Sequence, residues 1–200
     1  MKVGILGGSF DPVHKGHLHM AISAYEEYQL DQVLLIPAAH SPNKDERTMT
    51  PAKDRLAMCQ LAVQDYEFLI ASDFEMRYED TSYTYLTLQR LKECHPKDSF
   101  YFIMGADSLD YFDKWYHPEI IASLCTILVV VREGFDAAQM EKKAKQLQVL
   151  FSCEIRFVHC KRYDISSSEL RKEITIGKYN LNHLPENVIQ YIKEHELYQI

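Results

Sequence analysis

The sequence lacks the features that would place the protein in a membrane, in a secretory pathway or in a repeat architecture. No apolar run approaches the roughly 18 residues of a membrane span, and no charged-then-apolar leader with a cleavage site begins the chain. No internal repeat or low-complexity segment occurs. We therefore predict a cytoplasmic protein with no membrane partner.

Positive charge and paired cysteines are also scarce. The chain has 22 lysines and arginines against 29 aspartates and glutamates, a formal net charge of −7, which argues against a nucleic-acid partner but leaves room for a local basic pocket. The five cysteines include no Cys-x-x-Cys pair, so we expect free thiols in a reducing compartment. Cys153, His159 and Cys160 match no zinc-ligand spacing, and we predict no metal site built by the protein alone.

Apolar segments of strand length alternate with segments of helical periodicity along the 200 residues. The run from Ile127 to Val131 is apolar at every position, which is typical of a parallel strand buried on both faces. The alternation predicts an α/β fold with a doubly wound parallel sheet and C-terminal helices, in one domain spanning residues 1–200. The predicted strands are 3–6, 33–36, 68–71, 100–104, 126–131 and 155–158, and the predicted helices are 16–28, 51–62, 84–94, 137–147, 167–176 and 185–194.

The first predicted strand leads into two glycines and then two histidines. Gly7 and Gly8 are expected to let the backbone turn tightly and approach a ligand. The next helix begins near Gly16, so His14 and His17 lie about one turn apart at its N-terminus. Backbone N–H groups and the helix dipole favour an anion there, and two imidazoles add donors. The arrangement predicts a phosphate-handling site.

This segment resembles the HxGH signature of the nucleotidyltransferase superfamily, and the longer string GGSFDPVHKGH is similar to that of the nicotinate-nucleotide adenylyltransferases. Two histidines at this spacing are more often ordinary surface residues, but here strand, glycines and helix stand in the order that the signature requires. The resemblance implies a Rossmann-like nucleotidyltransferase fold and catalytic roles for His14 and His17. It implies ATP-binding roles for Gly7, Gly8, Ser9, Phe10 and Gly16.

Two further segments of the same resemblance concern the phosphates of ATP. Pro42-Asn43-Lys44 resembles the Pro-His-Lys of the family, with asparagine in place of histidine, and implies that Lys44 is a catalytic cation. Residues 165–171, ISSSELR, resemble the ISSTxIR segment, which implies ATP-binding roles for Ser167 and Ser168 and a catalytic role for Arg171. Arg55, in the helix after the polar loop, is a weaker candidate for phosphate contact.

The remaining matching segments concern the two nucleosides. Thr84 belongs to a segment that resembles SYTxxT, which implies contact with the nicotinate carboxylate, although alone it would be an ordinary helix start. Gly105 and Asp107 match a GAD element implied to bind ATP. Trp115 and Tyr116 match a KWY element implied to bind nicotinate mononucleotide. Trp115 is the only tryptophan, and alone it would be a core residue.

Taken together, the resemblance implies adenylyl transfer from ATP to nicotinate mononucleotide in NAD biosynthesis, with Mg²⁺ accompanying ATP. Three alternatives stay open: an adenylyltransferase that prefers nicotinamide mononucleotide, another HxGH nucleotidyltransferase, and a non-catalytic nucleotide-sensing module. The sequence is compatible with a homo-oligomer and does not fix the oligomeric state.

Overall fold

A single parallel sheet organises the protein, whose computed structural model describes residues 1–42, 48–132, 137–160, 165–180 and 182–199. Its strands are β1 (Lys2–Gly8), β2 (Gln32–Pro37), β3 (Leu69–Ala71), β4 (Ser99–Gly105), β5 (Cys125–Arg132) and β6 (Ile155–Cys160). Their order in the sheet is β3-β2-β1-β4-β5-β6, with all neighbours parallel. Strand order reverses between β1 and β4, which confirms the predicted doubly wound α/β fold.

Helices connect the strands and close the chain. They are α1 (Lys15–Tyr28), α2 (Ala52–Val63), α3 (Thr84–Cys94), α4 (Ala106–Leu109), α5 (Pro118–Leu124), α6 (Ala137–Phe151), α7 (Ser167–Thr175) and α8 (Glu186–Glu194). All six predicted helices are present. The sequence prediction missed α4, α5 and two short 3-10 helices, Phe74–Arg77 and Phe112–Lys114, because three to seven residues establish no helical period. Within the described ranges, no helix is long and apolar enough to span a membrane.

The hydrophobic core lies on both faces of the sheet. In β5, Leu128 and Val130 point into the layer covered by α1, α2, α7 and α8, whereas Ile127 and Val129 point into the layer covered by α3 to α6. All four side chains are buried, as the continuous apolar run predicted. The division of the chain into one domain stays a prediction.

The two central strands separate at their carboxyl ends. β1 pairs with β4 from Lys2–Ser99 to Ile5–Phe102. Beyond that point β1 continues to Gly8 beside β2, and β4 continues to Gly105 beside β5. A crevice therefore opens between β1 and β4 at the point where the strand order reverses, which is where ligands bind in open α/β sheets.

The predicted turn at Gly7 and Gly8 is wrong in its position. Both glycines still belong to β1, because β2 extends to Pro37 and pairs with them. The chain turns at Phe10, whose φ of 46° lies in the left-handed region. Gly8 serves packing instead: a Cβ atom there would lie 3.3 Å from Cζ of Phe10.

Candidate active site

The two histidines of the sequence motif stack on each other at the start of α1. Their ring centroids are 3.7 Å apart and the ring planes differ by 22°. The backbone N–H of His14 donates to Nδ1 of His17 over 3.2 Å. Because Nδ1 of His17 accepts, the neutral ring carries its proton on Nε2. His14 is only 5% exposed, whereas His17 is half-buried.

Phe10 and Gly16 fix the positions of these rings. The buried Phe10 ring meets His17 edge to face, with 4.9 Å between centroids and 78° between planes. Gly16 is buried against the ring of His14. Both residues were predicted to contact ATP, and the structure places them behind the histidines as supports.

The start of α7 packs against the loop that precedes the histidines. Ser167 donates its hydroxyl to the carbonyl of Pro12 over 3.0 Å. Arg171 donates from Nη1 to the carbonyl of Asp11 over 2.6 Å and from Nη2 to the hydroxyl of Ser168 over 3.4 Å. The fold thus brings the segment around residues 167–171 to the histidine motif, although more than 150 residues separate them in the sequence.

A cavity of about 790 Å³ opens beside the carboxyl end of β1. Its lining combines the first motif with the three residues assigned to the mononucleotide: Gly7, Gly8, Ser9, Thr84, Trp115 and Tyr116. Lys114 adds a positive charge to the same wall. The structure therefore joins segments that the sequence analysis had connected only through a resemblance.

Aromatic rings form one wall of this cavity. Trp115 is half-buried and is held by Phe102 and Phe112, with centroid distances of 6.0 and 5.6 Å. Tyr116 is 56% exposed and stacks on Tyr83 with 4.7 Å between centroids. Trp115 is thus fixed in place while it still lines open space, as a ring that stacks on a flat ligand requires.

Glu75 is a half-buried acid in the cavity wall that sequence reasoning missed. The hydroxyl of Thr87 donates to its Oε1 over 2.6 Å. Its Oε2 is buried and has no hydrogen-bond partner among the residues that the structure describes. Burial raises the pKa of this carboxyl, and hydrogen bonding, including that from Thr87, opposes the rise. An acidic residue in the short segment Phe74–Arg77 gives no sign of burial in the sequence.

Arg55 has a different role from the suggested phosphate contact. It is 2% exposed and donates to three backbone carbonyls, those of Thr50, Ser9 and Ala38, over 2.8, 2.7 and 2.6 Å. Burial lowers its pKa and the nearby carboxylate of Asp11 raises it. Arg55 ties the loops after β1 and β2 together and is a positioning residue, so the phosphate assignment is corrected.

The other predicted site residues lie at the end of β4 or outside the described residues. Gly105 precedes α4, and a Cβ atom there would meet nothing within 4 Å. Asp107 is exposed in the first turn of α4. Both stand where β4 leaves β1, at the crevice. Asn43 and Lys44 lie outside the residues that the structure describes.

Known proteins are similar to this chain in sequence and in fold. The family model described as cytidylyltransferase-like matches residues 5–173. The chain is 37% identical over 196 residues to a "Probable nicotinate-nucleotide adenylyltransferase" of Clostridium botulinum (strain Loch Maree / Type A3), covering 98% of both chains. It is 35% identical over 199 residues to a protein of the same name from Clostridium novyi (strain NT), covering 99% of both.

A solved structure of Plasmodium falciparum nicotinic acid mononucleotide adenylyltransferase complexed with NaAD superposes with a TM-score of 0.80, over 98% of this chain and 97% of that chain. At 22% sequence identity this likeness bears on the fold alone.

Proposed function

This chain belongs to the nicotinate-nucleotide adenylyltransferases within the cytidylyltransferase-like family, and we propose that it transfers the adenylyl group of ATP to nicotinate mononucleotide. The products are nicotinate adenine dinucleotide and pyrophosphate, in a step of NAD biosynthesis. One observation carries the proposal: the histidine motif and the cavity assigned to the mononucleotide adjoin each other at Ser9. The stacked histidines follow it in the chain, and Ser9 itself lines the cavity that holds Thr84 and Trp115.

The proposed reaction is a direct in-line displacement. A phosphate oxygen of the mononucleotide forms a bond to the α-phosphorus of ATP, and the bond from that phosphorus to the oxygen shared with the β-phosphate breaks. The nucleophile is already anionic, so the protein supplies position and charge stabilisation. His14 and His17 bind the triphosphate. The Nε2 donor of His17 is suited to charge that develops on the α-phosphoryl oxygens.

The outgoing pyrophosphate is held by hydroxyls and cations. Ser167 and Ser168 sit at the start of α7, where backbone N–H groups also favour an anion. The Arg171 guanidinium donates to the carbonyl of Asp11, and its positive charge stabilises the departing phosphates in this proposal. Lys44 adds a further positive charge in this proposal.

The mononucleotide occupies the cavity. Trp115 stacks on the pyridine ring, Tyr116 covers its edge, and backbone N–H groups near Thr84 bind the carboxylate. Gly105 and Asp107 contact the adenosine end of ATP in this proposal. They lie at the end of β4, on the side of the crevice opposite to the histidines, which follow β1.

Mg²⁺ is the proposed companion of ATP. In the described residues, no group of three or more His, Cys, Asp or Glu side chains could hold a metal ion. Mg²⁺ is commonly held by substrate phosphates and water, and Asp107, an exposed carboxylate in the first turn of α4, would add a protein ligand. When bound, Mg²⁺ would neutralise phosphate charge. The five free thiols support a reducing, cytoplasmic location.

A side-by-side assay tests the proposed function. Purified protein is incubated with ATP and Mg²⁺ plus nicotinate mononucleotide, nicotinamide mononucleotide, or phosphopantetheine, and pyrophosphate release is measured. We expect about 10²-fold higher kcat/KM for the nicotinate substrate over the amide, because an amide leaves donors mismatched against backbone N–H groups. Equal efficiency with both mononucleotides would remove the acid preference. ATP binding without pyrophosphate release in any mixture would favour a sensing module.

A further inference from the structure

The end of the chain returns to the loop in front of the histidines. The Tyr198 hydroxyl donates to Oδ1 of Asp11 over 2.7 Å, across 187 residues of sequence. Asp11 is only 2% exposed, although it carries an ionisable carboxyl. Removing a carboxylate from water costs free energy unless hydrogen bonds and opposite charges compensate it. The hydrogen bond from Tyr198 supplies part of that compensation.

Asp11 stands in the middle of a loop that both parts of the phosphate site contact. On one side, Phe10 precedes it and packs under the ring of His17. On the other side, Arg171 binds the carbonyl of Asp11 itself, and Ser167 binds the next carbonyl, that of Pro12. Asp11 therefore lies between the contact with His17 and the contacts with Ser167 and Arg171.

Tyr198 is suited to donate a hydrogen bond to this carboxylate at neutral pH. Burial raises the pKa of its phenol well above the usual range, and the negative charge of Asp11 raises it further. The hydroxyl therefore stays protonated and remains a donor. Arg55 interacts electrostatically with Asp11, and Arg171 interacts electrostatically with Tyr198. Two positive charges therefore lie near the Asp11–Tyr198 pair.

The tyrosine is itself anchored to two helices. The carbonyl of Tyr198 accepts a hydrogen bond from the Thr175 hydroxyl at the end of α7, over 3.1 Å. The N–H of Leu197 donates to the carbonyl of Ile192 in α8, over 3.0 Å. The C-terminal residues thus form a fixed connection between the last two helices and the loop.

We propose that Tyr198 is a positioning residue for the triphosphate end of the active site: by fixing the side chain of Asp11, it holds loop 9–13 in the shape that presents His17 and Arg171 to ATP. The identity of the ligand rests on the proposed function. The tyrosine itself touches no reacting atom in this proposal.

Tyr198→Phe tests the proposal because it removes only the hydroxyl. We expect a loss of about 10- to 10²-fold in kcat/KM for ATP, which corresponds to about 1.4–2.7 kcal/mol of transition-state stabilisation. We expect KM for the mononucleotide to stay within about 2-fold of the wild-type value, because the cavity lining does not include this loop beyond Ser9.

The matched control is Tyr191→Phe. Tyr191 also donates its hydroxyl to an aspartate, Oδ1 of Asp54, over 2.9 Å, but this bond joins α8 to α2 and includes no residue of the candidate site. Each variant loses one tyrosine–aspartate hydrogen bond, so we expect a similar decrease in melting temperature for both. Only Tyr198→Phe should lose ATP efficiency.

Calorimetric titration with a non-hydrolysable ATP analogue separates this inference from the proposed reaction, since it needs no turnover. Weaker binding to Tyr198→Phe than to wild type and Tyr191→Phe would support the positioning role even if the mononucleotide assignment failed. Wild-type affinity and kcat/KM in Tyr198→Phe would overturn it, as would equal losses in both variants. If Tyr198→Phe yields no folded protein, the same titration is made with Asp11→Asn, which keeps an acceptor for the hydroxyl. A loss much smaller than 10-fold would then support holding by the hydrogen bond, and a full loss would overturn it.

Discussion

Gly16 and the imidazole of His14 are packed so closely that a Cβ atom at position 16 would lie 3.0 Å from both Cε1 and Nδ1 of the ring. The same atom would lie 3.3 Å from Cγ2 of Ile165, so a side chain at position 16 would be crowded by both residues. A glycine inside a helix ordinarily weakens it. Its presence in the first turn of α1 is explained by the position of the ring that it admits.

Gly16→Ala should therefore separate stability from turnover. Alanine favours a helix over glycine by about 1 kcal/mol, which offsets the crowding, so we expect a melting temperature close to that of the wild type. The His14 ring must shift by a few tenths of an ångström, and kcat should fall about 10-fold because catalytic groups tolerate little misplacement. Thermal melting and steady-state kinetics check both parts. Undiminished turnover would show that this ring position is not critical.

His17→Ala should reduce kcat by about 10²-fold or more, as expected for the loss of one preorganised donor to the transition state. The ring is half-buried and lies in the first turn of α1, so the variant should remain folded. His19→Ala, two residues further along α1, is the matched control and should retain turnover. Equal effects of the two substitutions would remove His17 from the mechanism.

Trp115 offers a direct optical test, because it is the only tryptophan in the chain. If it stacks on the pyridine ring, nicotinate mononucleotide should quench its fluorescence and ATP alone should change it little. Trp115→Ala should raise KM for the mononucleotide more than KM for ATP. A larger effect on ATP would place the indole in the adenosine site.

Glu75→Gln should change how stability depends on pH. Burial raises the folded-state pKa of this carboxyl above its ordinary value of 4.5, so the folded chain binds the proton more tightly than the unfolded chain. The resulting stability is present below pH 4.5 and is lost as the pH rises through the folded-state pKa. Glutamine does not ionise, so the unfolding free energy of the variant relative to wild type should increase over that range.

Urea unfolding of the wild type and Glu75→Gln at several pH values measures this difference. Asp73→Asn is a control of opposite sign, because a hydrogen bond from Arg77 lowers the pKa of Asp73 and its contribution is lost as the pH falls. A difference between wild type and Glu75→Gln that stays constant with pH would contradict the raised pKa.

The fold was largely predictable because its elements are specified locally. Ile127 to Val130 are apolar without interruption and form a strand buried on both faces, and every predicted strand and helix is present. The turn was misplaced because glycine permits extended backbone as readily as a turn, and only the length of β2 decides between them. The local sequence at Gly7 and Gly8 does not predict their pairing with β2.

In the candidate site, too, arrangements within one segment were predictable and contacts between distant segments were not. Residues within one segment, such as His14 and His17, were predicted together because helical spacing brings them together. The contacts of Tyr198 with Asp11 and of Arg55 with three carbonyls join distant segments, and composition gives no sign of them. Arg55 in particular looks like a surface charge until its burial is seen. The roles of the predicted site residues stay predictions until the variants are measured.

The separation of β1 from β4 gives the sheet two edges in its interior. After Ile5 and Phe102, the peptide groups that face the crevice have no strand partner across it. Edges of this kind normally lie at the rim of a sheet, where they are shielded from other chains. In the proposed reaction, a bound nucleotide or water would complete the hydrogen bonding of these groups, so substrate would take the place of a neighbouring strand. We expect those backbone amides of Leu6 to Gly8 that face the crevice to exchange with solvent more slowly in occupied protein than in empty protein.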